Sequence, residues 1–279
     1  MTAETTSRPD ARPASALRLA GIEFGYRTES VLAGIDLVIA DGETVGIVGP
    51  NGSGKSTLLR ILAGLLDPRR GEVRLFEKPA RDYARLEAAR YIAYVAQDLA
   101  PVFGYTVAEF VMMGRRPYQG LWPFDNDEDE RAAREAMRET ETDAFADRTL
   151  FELSGGERRR VTIAAALAQE PSILLLDEPT AALDLHYQLQ IHDLLDRLNR
   201  ERSITTVVVT HDLNLAALYC PRVVMLDHGR IIADGPPSEI LTDERLASVY
   251  GIAVTRARHP DGTPFIAAWP GVRDGERRS

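Results

Sequence analysis

The chain has 279 residues, 44% of them hydrophobic, enough for one large domain or a core with a smaller subdomain. Its 33 basic and 42 acidic residues leave a net charge of −9, which disfavours a dedicated nucleic-acid binder. A single cysteine, Cys220, excludes an intrachain disulfide and suits a reducing compartment, and no apolar run approaches the roughly 18–20 residues that cross a bilayer.

Residues 1–15 are polar and proline-bearing, lack the apolar stretch of a signal peptide, and are expected to form a flexible tail. The protein is therefore expected to be soluble or peripheral, on the cytoplasmic side. Residues 17–24 and 35–39 predict short antiparallel strands, and Asp41-Gly42 a turn. The β-branched run 43–48 predicts a buried strand and 58–63 a helix. Asp67-Pro68 and Gly71 then break the chain, before strands at 72–76 and 91–96. Residues 114–124, with prolines and aromatics, are expected to be a loop. The acidic cluster Asp125-Asn126-Asp127-Glu128-Asp129-Glu130 precedes a helical stretch at 131–137. It reads as capping carboxylates at a helix start rather than a metal site. A helix over 158–169 is followed by a strand (172–176), a helix (185–200), a strand (205–209) and a further helix. That alternation predicts a parallel sheet with helices packed on it. Residues 222–226 and 230–233 predict a hairpin turning at Asp227-His228-Gly229. Residues 242–249 predict a short helix, and Pro260-Asp261-Gly262 the turn of a last hairpin.

Between strand 43–48 and helix 58–63 stands Gly49-Pro50-Asn51-Gly52-Ser53-Gly54-Lys55-Ser56-Thr57, which fits the P-loop pattern G-x-x-x-x-G-K-[ST]. Strand, glycine loop and helix N-terminus together make an anion site, because backbone N–H groups turn inward and the helix dipole adds positive charge. Lys55 is expected to reach the β- and γ-phosphates of a nucleoside triphosphate, and the Ser56 hydroxyl to ligate Mg2+. The run Ile173-Leu174-Leu175-Leu176-Asp177-Glu178 ends a buried strand in two carboxylates. Asp177 would help hold Mg2+ and Glu178 would polarise a water for attack on the γ-phosphate. Leu153-Ser154-Gly155-Gly156-Glu157 opens another helix as a second phosphate cradle. One chain has one triphosphate to bind, so this cradle is expected to serve a second molecule across a head-to-tail dimer. His186, His192, His228 and His259 lack zinc-site spacing and are assigned to surface or packing.

These residues resemble the nucleotide-binding subunits of ABC (ATP-binding cassette) transporters. The resemblance covers about residues 17–250. It rests on the P-loop, Gln97, Leu153 to Glu157, Asp177-Glu178, Ala182-Leu183-Asp184 and His211, in that order. It implies an α/β fold: a P-loop NTPase core with a mostly parallel sheet and helices, an antiparallel β subdomain, and an α-helical subdomain at about 98–165. The cassette would span 16–250, with a hairpin and tail at 251–279. Tyr26 would stack on adenine. Gln97 would touch Mg2+ and the attacking water, and Ser154, Gly155 and Gly156 the partner's nucleotide. Asp184 would lie at the dimer seam, and His211 would hydrogen-bond the γ-phosphate. Lys55, Gln97, Glu178 and His211 form the implied catalytic set; Ser56, Gln97 and Asp177 form the metal set. Glu157 departs from the commoner glutamine, and Arg158-Arg159-Arg160 would offset its charge or form a solvated helix face.

A free-standing single cassette implies docking on separate membrane proteins. Residues 105–117, 184–188 and 211–216 resemble importers of iron–siderophore, haem and cobalamin. The implied partners are a second copy, two transmembrane permeases and, indirectly, a substrate-binding protein, with no nucleic acid, at the cytoplasmic face of the membrane. Segment 99–124 would receive a coupling helix, with Phe103, Tyr105, Phe110, Met112 and Met113 serving as docking surface or as core. A soluble ATPase of iron–sulfur cluster assembly and the ATPase of an exporter are the alternatives.

Overall fold

The computed structural model describes residues 15–97, 104–119, 126–251, 253–258 and 262–269. The described chain begins with β1 (Leu17–Tyr26) and β2 (Glu29–Ile39), an antiparallel pair with Leu17 opposite Ile39 and Phe24 opposite Leu32. Their buried residues fall on one face, as expected for a sheet lying over a core. β3 (Thr44–Val48) is buried at four of its five residues and feeds α1 (Lys55–Leu62) through the glycine loop. β4 (Arg70–Leu75) returns beside β1, and the short β5 (Lys78–Pro79) completes an antiparallel sheet of order β2-β1-β4-β5. α2 (Arg85–Tyr91) leads into β6 (Ile92–Val95), after which three helices form a separate layer: α3 (Val107–Met112), α4 (Asp127–Glu139) and α5 (Gly155–Ala168).

The chain then alternates: β7 (Ile173–Asp177), α6 (Leu185–Arg202), β8 (Thr205–Val209), α7 (Leu213–Tyr219), β9 (Arg222–Asp227) and β10 (Arg230–Gly235). With β3 and β6 these strands make a sheet of order β10-β9-β3-β8-β7-β6, in which β10 alone runs antiparallel. β7 and β8 are buried at every residue, as strands covered on both faces must be. α8 (Pro237–Ile240), α9 (Asp243–Tyr250) and the hairpin β11 (Ala253–Arg258) with β12 (Pro264–Trp269) finish the described chain.

Apolar side chains gather in three clusters. One lies between the helical layer and β6–β8, one under the antiparallel sheet around α1, and one joins β9, α7, α8, α9 and Ile266. β3, β6, β7, β8 and β9 are parallel neighbours, so their C-terminal ends open on one edge. Ligands of open α/β sheets bind at that edge.

Three expectations change. The segment 114–124 is not a plain loop where it is described. Met113–Arg115 continues α3 as a tight turn, and the Arg115 side chain is buried. Its guanidinium donates to Asp129 at 2.8 Å, Ala168 O at 2.7 Å and Glu170 at 2.7 Å. Gly114 permits this: a Cβ there would stand 2.0 Å from Ala165 O. Asp129 is thus an inward-facing partner, while Asn126 supplies the cap by accepting from Asp129 N at 2.9 Å. Ser15, assigned to the tail, is buried and donates to Glu77 at 2.5 Å. The rest of the expected tail, residues 1–14, lies outside the described residues. So do Phe103, His259, Asp125 and the Pro260-Asp261 turn. Among the described residues no helix is long and apolar enough to cross a membrane.

Candidate nucleotide site

The P-loop is built by backbone conformations that side chains resist. Gly49 has φ 149°, and a Cβ there would meet Leu226 O at 2.0 Å; Gly54, with φ 101°, caps α1. Lys55 folds back so that Nζ donates to Gly49 O and Pro50 O, each at 2.8 Å. Burial pulls its pKa down, against the opposing pull of Glu178 and Asp177. The Ser53 hydroxyl is buried and unpartnered, a polar atom of the loop with hydrogen-bonding capacity to spare. A cradle of this kind suits phosphate oxygens.

β7 delivers the carboxylates. Asp177 is 1% exposed; Oδ1 accepts from Ser56 Oγ at 2.9 Å and Oδ2 from the Tyr94 hydroxyl at 3.2 Å. Paired hard oxygens from Ser56 and Asp177 fit Mg2+, which prefers oxygen ligands. At Glu178 the chain turns sharply out of the strand with φ 45°, and its N–H bonds Val209 O at 2.9 Å. A non-glycine residue in this region costs about 1–3 kcal/mol, a strain typical of functional positions. The turn leaves the Glu178 side chain 15% exposed, with Oε2 accepting from Gln97 Nε2 at 3.1 Å and lying 3.3 Å from His211 Nδ1. Gln97 follows β6, Asp177 and Glu178 end β7, His211 follows β8, and the P-loop follows β3. The sheet edge therefore brings together Lys55, Ser56, Gln97, Asp177, Glu178 and His211.

Tyr26 ends β1, is 45% exposed and meets Phe24 edge-to-face at 5.1 Å. An exposed ring of this kind can stack on a flat base. Ser154, Gly155, Gly156 and Asp184 form a second group. Ser154 Oγ accepts from Glu157 N at 3.3 Å, and Glu157 Oε2 accepts from Ser154 N at 2.8 Å, a reciprocal helix cap. Gly156 lies under Tyr187, where a Cβ would come within 2.4 Å of the ring. Asp184 starts α6, with Oδ1 accepting from Tyr187 N at 3.0 Å.

The arginine run departs from expectation. Hydrogen bonds from Ser154 hold the Glu157 carboxyl below its usual range, and Arg148 and Arg160 add the smallest contributions. Arg158 donates to Leu150 O and Leu153 O, and Arg160 pairs with Glu141 at 3.1 Å. Arg159 is buried and donates to Ala96 O at 2.6 Å, Pro179 O at 2.7 Å, Asp177 O at 3.1 Å and Gln97 O at 3.3 Å. It ties α5 to the ends of β6 and β7, a role the sequence analysis missed along with that of Tyr94. Three consecutive arginines carry no signal of which one turns inward. Tyr94 is marked only by its place in a strand leading to Gln97. His186 packs edge-to-face on Tyr187, His192 is buried against Tyr219, and His228 is exposed beside Asp227. The Cys220 thiol is buried, which pushes its pKa up to about 12 and makes it inert.

The ABC transporter family profile matches residues 32–181. The chain belongs to the ABC transporter family. It is 45% identical over 258 residues to the hemin import ATP-binding protein HmuV of Streptomyces coelicolor, covering 90% of this chain and 89% of that protein. It is 42% identical over 255 residues to the ferric enterobactin transport ATP-binding protein FepC of Escherichia coli K12, covering 90% and 94%. It is also 39% identical to the uncharacterized ABC transporter ATP-binding protein YvrA of Bacillus subtilis. That match covers 94% of this chain but 60% of the length of YvrA. Among solved structures, the dimeric form of a bacterial ABC transporter cassette is 34% identical with a TM-score of 0.69, covering 79% of this chain and 98% of that one. The 32% identical cbiO1 of Clostridium perfringens, part of the ABC transporter complex cbiONQ, has a TM-score of 0.74 and covers 84% and 94%.

Proposed function

We propose that this cassette hydrolyses ATP to drive uptake of a metal chelate, an iron–siderophore or haem, through separate membrane subunits. The observation that carries the hydrolytic half is Glu178 Oε2, placed between Gln97 Nε2 and His211 Nδ1 beside the Ser56–Asp177 pair. The cargo class rests on the kinship with HmuV and FepC. Backbone amides of the P-loop and Lys55 would hold the β- and γ-phosphates, and Tyr26 the adenine. Mg2+ held by Ser56, Asp177 and Gln97 would neutralise charge developing on the phosphate oxygens. Glu178 would accept a proton from the attacking water, and His211 would hydrogen-bond the γ-phosphate. Two copies would close head to tail, so that Ser154, Gly155 and Gly156 reach the nucleotide on the second copy and Asp184 lies at the seam.

The membrane partner would dock on the helical layer. A groove of about 780 Å3 lies there between α3 and α4, lined by Ala108, Glu109, Met112, Ala133, Arg134 and Met137 among others. Phe110 and Met112 also pack against the core, while Tyr105 and Met113 are exposed. Docking and packing thus share the segment.

Glu178→Gln tests the chemistry. It should bind ATP as tightly as the wild type, turn over slower by about a hundredfold or more, and accumulate an ATP-bound dimer. Turnover near that of the wild type would falsify the assignment of the base. Affinity purification from detergent-solubilised membranes tests the transport half. A co-eluting polytopic permease is expected, and soluble partners alone would overturn transport while leaving hydrolysis standing.

A further inference from the structure

Among the described residues the hairpin of β11 and β12 contributes none to the nucleotide site, but it is fastened to the segment that carries His211. Asn214 lies in the first turn of α7, three residues beyond His211. Its Nδ2 donates to Ile266 O at 3.1 Å, and its Oδ1 accepts from Ile266 N at 2.7 Å. One side-chain amide thereby makes both bonds that a neighbouring strand residue would make. Ile266 itself is buried in the third apolar cluster with Ala216, Ala217 and Cys220. β12 lies along α7, and β11 lies along α9.

The chain between β8 and α7 is pinned on both sides of His211. Thr210 N bonds Ile47 O at 3.1 Å, and Thr210 Oγ1 accepts from Asp212 N at 3.0 Å. Asp212 Oδ1 accepts from Asn214 N at 2.9 Å and Leu215 N at 3.0 Å. His211 is the exception: its side chain is 61% exposed, and its Nδ1 has the 3.3 Å approach to Glu178. The backbone that aims it is fixed from β3 on one side and, through α7, from the hairpin on the other.

We propose that Asn214 and the hairpin form a brace that positions His211 for hydrolysis, with Asn214 as a positioning residue. This rests on the reading of His211 as the residue that bonds the γ-phosphate. A bond that merely held the hairpin down would change stability and leave turnover alone. The brace instead predicts a loss of kcat that depends on His211.

The test uses the full chain in four forms: wild type, Asn214→Ala, His211→Ala and the double variant. Asn214→Ala should lower kcat by about three- to tenfold, with KM and nucleotide binding unchanged. It should also speed hydrogen exchange at the amides of residues 210–215. In the His211→Ala background the same substitution should have no further effect on turnover, because the brace then has nothing to aim. Asn214→Asp keeps an acceptor for Ile266 N but sets a second carboxylate oxygen against Ile266 O, so its kcat should fall at least as far as that of Asn214→Ala. It carries the test by itself, through the same cycle with His211→Ala, should the alanine variant not fold. Losses that multiply in the double variant, or a folded Asn214 variant with wild-type kcat, overturn the brace alone. Wild-type turnover by His211→Ala overturns the reading of the site, and the brace with it.

Discussion

His192 offers a prediction whose size follows from its surroundings. It lies on α6, 2% exposed, with its ring stacked on Tyr219 at 4.8 Å and 21°. Its Nε2 is buried and unpartnered. Burial lowers its pKa to about 4 from 6.5, although Asp212 and Asp193 favour the charged form. Above pH 6.5 the ring is neutral in both folded and unfolded chains, so it does not make stability depend on pH. Between pH 6.5 and about 4 the unfolded chain binds a proton that the folded chain refuses, so stability falls as pH falls. At about 1.4 kcal/mol per pH unit, the drop from pH 7 to pH 5 due to this residue is about 2 kcal/mol. His192→Phe keeps the stack on Tyr219 and removes the titrating nitrogen. Urea unfolding at the two pH values should therefore show the wild type losing about 2 kcal/mol more than the variant. Equal losses in the two proteins would refute the assignment, since every other titrating group is common to both.

Three further substitutions probe the site. Tyr94→Phe removes the hydroxyl that bonds Asp177 Oδ2 at 3.2 Å. It should weaken metal binding about tenfold, read by Mn2+ resonance with nucleotide present, and leave metal-free nucleotide affinity alone; an unchanged metal affinity would show that Ser56 suffices to orient the carboxylate. Arg159→Met strips the donor from the carbonyls of Ala96, Pro179 and Asp177. A loss of about 3 kcal/mol in chemical denaturation is expected, with Arg159→Lys restoring part of it, and a loss under about 1 kcal/mol would mean those carbonyls find other partners. Gly156→Ala places a Cβ 2.4 Å from the Tyr187 ring. Tyr187 must then move, along with the Asp184 cap, so ATP-dependent dimerisation in a Glu178→Gln background should weaken while ATP binding by one chain persists. Size-exclusion profiles identical to those of the parent would rule this out.

The parallel core is legible in the sequence because its signals are local. An apolar run from Ile173 to Leu176 that stops at Asp177-Glu178 is a buried strand reaching an edge. The glycines around Lys55 permit a backbone that few other residues adopt, and Asp227-His228-Gly229 sits where β9 turns into β10. The helical layer is less legible. Arg115 reads as a loop residue, because the groups that bury it, Asp129 and Glu170, stand far along the chain. The Arg158-Arg159-Arg160 run reads as a counter-charge for Glu157 or a solvated helix face for the same reason: inward and outward arginines look alike until α5 has a sheet to lie on. Charge placed inside a protein is set by its partner, and partners are a tertiary property.

Arg159 would have a mechanical consequence if the cassette closes on a second copy as proposed. Ser154 to Gly156, the residues that would reach the other nucleotide, open α5, and one turn further along the same helix the Arg159 guanidinium holds Ala96 O, Gln97 O and Asp177 O. A movement of α5 toward a partner must either break those bonds or carry the backbone of Gln97 and Asp177 with it. Breaking them would strand buried carbonyls at a cost of about 1–3 kcal/mol each. Carrying the backbone would be cheaper, because the Glu178 turn leaves β7 through a single left-handed residue. Closure would then be felt at the side chains of Gln97 and Glu178, which share a hydrogen bond at 3.1 Å. The arginine that holds those carbonyls would thus couple the face proposed to meet a second copy to the carboxylate proposed for hydrolysis.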